Sequence, residues 1–177
     1  MSRFKVGIIV LLLSPASLVA QGQGTVSPTG GTGSPGTAFH IPVTLTLNAG
    51  VNIGTLAFGV EIIANNPAPA LTGTLSFTTA ASLQEPNLKD TGAGPNLIAI
   101  AWLSPAFNPL LSGTKDLGFI TMTIPANAQD GQTYTLRVTG ATATSETSVV
   151  QLTPGPDATL TVAVSVPVKR RGQLISE

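Results

Sequence analysis

The residues able to do chemistry in this chain are few and scattered. It has one histidine, His40, no cysteine, and eight acidic residues among 177. Zinc needs three or four converging nitrogen, sulfur or carboxylate ligands, and a lone imidazole with no acid close by in sequence does not supply that set. Acyl transfer through a serine needs a base beside it and a strained turn to present it. No Gly-x-Ser-x-Gly elbow occurs, and His40 is the sole histidine base on offer. Glycoside hydrolysis needs two carboxylates on one cleft. The acids Glu61, Glu85, Asp90, Asp116, Asp130 and Glu146 are instead spread over strand-like runs and turns, and Asp130-Gly131 reads as turn chemistry. The expectation is a non-enzyme with no catalytic residue, no metal and no cofactor. The missing cysteines also exclude a disulfide framework and thiol redox chemistry.

Recognition is the remaining kind of chemistry. Sugar binding on a β-sandwich uses exposed aromatic faces, because a ring offers a large apolar plane that costs little side-chain entropy to hold. Trp102 shares its alternation with Ile98 and Ile100, and Tyr134 with Leu136 and Val138, so both belong to the core set. Phe107, between Pro105 and Pro109, is the aromatic expected to be exposed and is the candidate carbohydrate contact. Charge is scarce and balanced, at eight Lys and Arg against eight Asp and Glu. No basic field for nucleic acid follows from that. The cluster Lys169-Arg170-Arg171 lies beyond the last strand-like run and reads as a solvated tail.

The elements that would position such residues are strands. Phe39, Ile41, Val43, Leu45 and Leu47 alternate with His40, Pro42, Thr44, Thr46 and Asn48, and period two marks a half-buried strand. Leu56, Phe58, Val60 and Ile62 alternate in the same way with Thr55, Ala57, Gly59 and Glu61. Further β runs are expected at 71–78, 97–103, 117–124, 133–138, 148–152 and 158–166. Breaker clusters such as Asn65-Asn66-Pro67, Asp130-Gly131 and Pro154-Gly155-Pro156 separate them. Short strands with regular turn signals and no helical period predict an all-β antiparallel jelly-roll sandwich of about eight to nine strands.

At the amino terminus, Arg3 and Lys5 precede the apolar run 6–13, Ser14-Pro15 and then Ala20. That order is the one of a secretory signal peptide over 1–20, with cleavage after Ala20 or, alternatively, Ala16 or Gly22. The run is far shorter than the roughly 20 residues of a spanning helix, so no membrane span is expected after cleavage. Residues 21–37 are mostly Gly, Ser, Thr, Pro and Gln and read as a flexible leader, with one short strand around Thr25 and Val26. The domain itself is expected over 38–166 and a polar tail over 167–177. The localisation that follows is secreted, extracellular or periplasmic.

Four motifs in order give the chain a resemblance. Gly36-Thr37-Ala38-Phe39-His40-Ile41-Pro42-Val43 is similar to the start of the second strand of cohesin domains, and 53–62 with its central Phe58 resembles their next strand. Leu117-Gly118-Phe119-Ile120-Thr121-Met122-Thr123-Ile124 resembles a later one. Pro125 to Tyr134 resembles the loop that follows it, and 158–166 stands where the closing strand would be. The resemblance covers residues 32–166. It implies a jelly roll like that of bacterial cellulose-binding modules, and a role in holding dockerin-bearing enzymes on a scaffold for polysaccharide degradation. It also implies a protein-binding face on the outward residues Thr55, Ala57, Gly59 and Glu61. Dockerin-binding members are similar to one another in an Asn-x-Asp before the central Phe, and here those positions are Thr55 and Ala57. The readings carried forward are a secreted, non-catalytic binding or scaffolding module with a dockerin-like or other secreted protein as partner, a module that binds polysaccharide directly, and a structural or adhesive surface protein.

Overall fold

A computed structural model describes residues 22–92, 94, 96–103, 107–146 and 148–164. Thirteen strands follow one another: β1 (Gly24–Pro28), β2 (Gly31–Gly33), β3 (Ala38–Leu47), β4 (Asn52–Ile53), β5 (Thr55–Ala64), β6 (Ser76–Thr79), β7 (Leu88–Asp90), β8 (Leu97–Trp102), β9 (Leu111–Ser112), β10 (Thr114–Thr123), β11 (Thr133–Thr144), β12 (Val149–Pro154) and β13 (Ala158–Val162). Among the described residues there is no helix. The order β6-β10-β3-β1 forms one layer and β11-β5-β8-β7 the other. β12 joins them, pairing with β1 on one side and β11 on the other. The result is the all-β jelly-roll sandwich that alternation predicts.

Alternation sets the layers because each strand has one apolar side. Along β3, Ile41, Val43, Leu45 and Leu47 are buried while His40, Pro42 and Thr46 are exposed. Leu117, Ile120 and Met122 of β10 and Leu56, Phe58, Val60 and Ile62 of β5 add to the same core. Trp102 and Tyr134, both fully buried, each bring a polar atom inside and satisfy it at a loop. Trp102 Nε1 donates to the Gln84 carbonyl at 2.8 Å and the Tyr134 hydroxyl to the Pro69 carbonyl at 2.9 Å. Two connections that carry little apolar surface are thereby tied to the core.

Several boundaries differ from expectation. The segment read from its composition as a flexible leader is paired: β1 lies between β3 and β12, and β2 runs parallel to β13. Its small residues contribute backbone hydrogen bonds to strands already ordered by their side chains, a source of order that composition does not register. The run at 71–78 is a strand only from Ser76, although Leu71 and Leu75 are both buried. β11 continues six residues beyond Val138. The strands β4, β7 and β9, of two or three residues, carry too little pattern to be anticipated. Signal-peptide residues 1–20 and the tail 167–177 lie outside the described residues.

Candidate functional site

Phe107 is corrected first. It is 5% exposed, with its ring centroid 5.6 Å from that of Trp102, so it closes one end of the core and cannot offer a face to a sugar. The flanking prolines suggested an exposed loop, but an aromatic ring gains more by covering Trp102 than by standing in water. A cleft of about 630 Å³ opens beside it, lined by Gly54, Thr55, Leu103, Leu110 and Glu146 among others. Glu146 is its one charged group, so no acid–base pair faces across it. Among the described residues no group of three or more His, Asp or Glu could hold a metal. His40 is exposed on the other layer, with Nδ1 3.0 Å from the Thr121 hydroxyl and its ring edge-on to Phe119 at 4.6 Å.

The outward residues of β5 sit in the middle of their layer. Directly opposed residues of antiparallel strands share a face, so the register builds that surface row by row. Thr55 stands opposite Thr144. Ala57 lies between Thr142 of β11 and Ala101 of β8, with Leu88 of β7 beyond. Gly59 lies between Thr139 and Ala99, with Asp90 beyond, and Glu61 between Arg137 and Leu97. Four small residues, Ala57, Gly59, Ala99 and Ala101, thus form a smooth centre. Leu88, 42% exposed, stands at its edge.

A bulge shapes this centre. The β5–β11 register shifts between Thr139 and Ala141, and Gly140 between them takes φ +70°, a left-handed conformation that L side chains rarely adopt. The extra residue re-aims Thr139 over Gly59, where a Cβ would come within 2.5 Å of the threonine hydroxyl oxygen. A shallow depression of about 270 Å³ results, lined by Ala57, Gly59, Leu88, Ala99, Ala101 and Thr142 together with neighbouring backbone. Its floor is apolar and nearly free of directed hydrogen-bonding groups. Thr55 adds none, since its hydroxyl pairs with that of Thr144 at 2.7 Å and accepts from the Thr144 amide.

Charge is confined to one end. Arg137 Nε and Nη2 donate to the Asp157 carboxylate at 3.0 and 2.8 Å. The hydrogen bond and charge of Asp157, with the charge of Glu61 in addition, hold the guanidinium above its ordinary pKa, and the same bond draws Asp157 below its own. Asp90 accepts the Gly92 amide at 2.7 Å and stays on the rim. Sequence reasoning located the β5 part of this face but missed Ala99, Ala101, Leu88 and the bulge. Those positions become neighbours only through strand pairing, for which no local signal exists.

No family model matches the chain, and neither does any curated relative. Solved structures do. The seventh ScaB type I cohesin of Pseudobacteroides cellulosolvens superposes with a TM-score of 0.62 at 12% identity, over 85% of this chain and 98% of that one. The sixth cohesin of scaffoldin B from Acetivibrio cellulolyticus, solved with a mutant Cel5 dockerin, gives 0.61 at 14% identity, over 78% and 98%. A non-cellulosomal cohesin from the archaeon Archaeoglobus fulgidus gives 0.54 at 14% identity, over 80% and 92%. Agreement over nearly the whole of each of those chains, together with the strand order described above, means that this chain has the cohesin fold.

Proposed function

We propose that the chain is a secreted, non-catalytic binding module that takes a protein partner on the outward face of the β11-β5-β8-β7 layer. The observation that carries this reading is the depression at the Gly140 bulge. Bulges concentrate beside functional sites, and this one opens a close-approach surface where Thr and charged residues would otherwise stand. The solved cohesin from A. cellulolyticus holds a dockerin, which supports a protein rather than a small molecule as the occupant here. Sugar binding is disfavoured by the burial of Phe107. The signal-like segment 1–20 supports export, and a setting in extracellular polysaccharide breakdown is an extension of the same likeness.

The partner need not be an ordinary dockerin. With Thr55 and Ala57 in place of Asn and Asp, a partner that relied on those acceptors would leave polar groups unpaired, at about 1 to 3 kcal/mol each. Calorimetry against a panel of dockerins is expected to give weak or absent binding. Tight calcium-dependent binding, lost in Ala57→Arg, would show instead that the face serves dockerins without those acceptors. The reading as a protein-binding face is tested by a photo-crosslinker placed at Ala57 or, as a control, at His40 on the other layer. Incubated with the secreted proteins of the source organism, the first is expected to capture a defined partner and the second to capture none. The reverse pattern would refute it.

A further inference from the structure

We infer that the partner is helical and docks in one orientation, with cationic side chains at the Glu61 and Asp90 end. This rests on the reading of the face given above and specifies what that face selects. An extended partner segment gains its hydrogen bonds at a sheet edge, and β5 and β8 are both interior strands with no free edge. What these strands offer is a smooth floor of Ala57, Gly59, Ala99 and Ala101, and a floor of small side chains lets the ridge of a helix approach closely. Leu88 gives that ridge an apolar neighbour on one flank.

Orientation comes from the charge distribution. The Thr55 end carries Thr144 and the exposed Leu103, with no ionised group in the Thr55, Ala57 or Ala101 rows. At the other end Asp157, Glu61 and Asp90 stand against the single cation Arg137, which leaves that end net negative. Arg137 is committed to Asp157 by two short hydrogen bonds, so Glu61 and Asp90 remain to meet a partner's Lys or Arg. The neutral centre adds no competing ionic anchor. A helix with a cationic end is therefore matched to the face one way round and mismatched when reversed.

The test uses the full chain and two synthetic helical peptides with the same alanine and leucine ridge, one ending in lysines and the other in glutamates. Amide NMR titration reads both the site and the affinity. The expected result is that shifts map to Ala57, Ala99 and Ala101, and that the lysine peptide binds about fivefold more tightly, the scale of two half-exposed ion pairs. Glu61→Gln with Asp90→Asn, which keeps the shape of both side chains, is expected to remove that preference, as is about 0.5 M salt. Shifts on this face with equal affinity for both peptides would overturn the charge-set orientation and leave the binding face standing. Shifts confined to other surfaces, or none with either peptide, would overturn both.

Discussion

The two sides of the β11-β5-β8-β7 layer are built from alternate residues of the same strands and have opposite compositions. Inside, Leu56, Phe58, Val60, Ile62, Ile98, Ile100 and Trp102 are at most 4% exposed. Outside, the alternating positions are Ala, Gly and Thr with charge only at one end. Large side chains on the inner side make the layer stable by burial, and this leaves the outer side free of any packing duty. The difference teaches that the small residues outside are not needed to hold the fold. What they set is the shape and polarity that the layer presents.

Substitutions can break or sharpen that contrast. The largest effect is expected inside: Trp102→Ala or Phe58→Ala should destabilise by about 3 to 5 kcal/mol in denaturant unfolding, the range for large aromatic truncations in cores. A loss below about 1 kcal/mol would mean that the inner side is not the stabilising one. Next comes Gly140→Ala, an exception on the outer side. Its left-handed backbone should make the change cost about 1 to 2 kcal/mol although no atom lies within 4 Å of the added methyl. An unchanged unfolding midpoint would show that the bulge relaxes without cost.

Tyr134→Phe should cost about 1 kcal/mol through loss of the hydrogen bond to Pro69. It also has a pH signature. Burial raises the Tyr134 pKa above its ordinary 10.0 in the folded chain. Stability from the neutral phenol is therefore complete below that ordinary value and is lost as pH rises from it through the folded value. Wild type should weaken over that alkaline window and the Phe variant should lack this component of the loss. Identical alkaline profiles would mean that the hydroxyl is not held in the interior. The smallest stability change belongs to Ala57→Arg, expected within about 0.5 kcal/mol of wild type because the added side chain projects into solvent.

How much of this was legible in sequence follows from the same contrast. Strands β3, β5 and β10 showed themselves because large apolar residues alternate with small or polar ones. The second half of β11, Thr139 to Thr144, has no such contrast: Ala and Thr occupy both sides, and pairing with β5 rather than side-chain pattern makes it a strand. β1 and β2 were hidden for the same reason. Phe107 misled because its local sequence reports the chain's path, whereas its burial depends on Trp102 arriving from another strand. The resemblance motifs located β5 and its outward residues, but the face needs β7, β8 and β11 beside it. Side-by-side register is a tertiary property, and a single sequence does not encode it locally.

The central claim is that the outer side of this layer binds a protein while contributing little to stability. Calorimetric titration of the partner captured at Ala57, with thermal unfolding of the same samples, tests both halves on wild type, Ala57→Arg and a His40→Arg control on the other layer. The account predicts that Ala57→Arg abolishes binding, that His40→Arg preserves it, and that all three proteins unfold together. Binding retained by Ala57→Arg and lost by His40→Arg would contradict it and move the recognition surface to the β6-β10-β3-β1 layer.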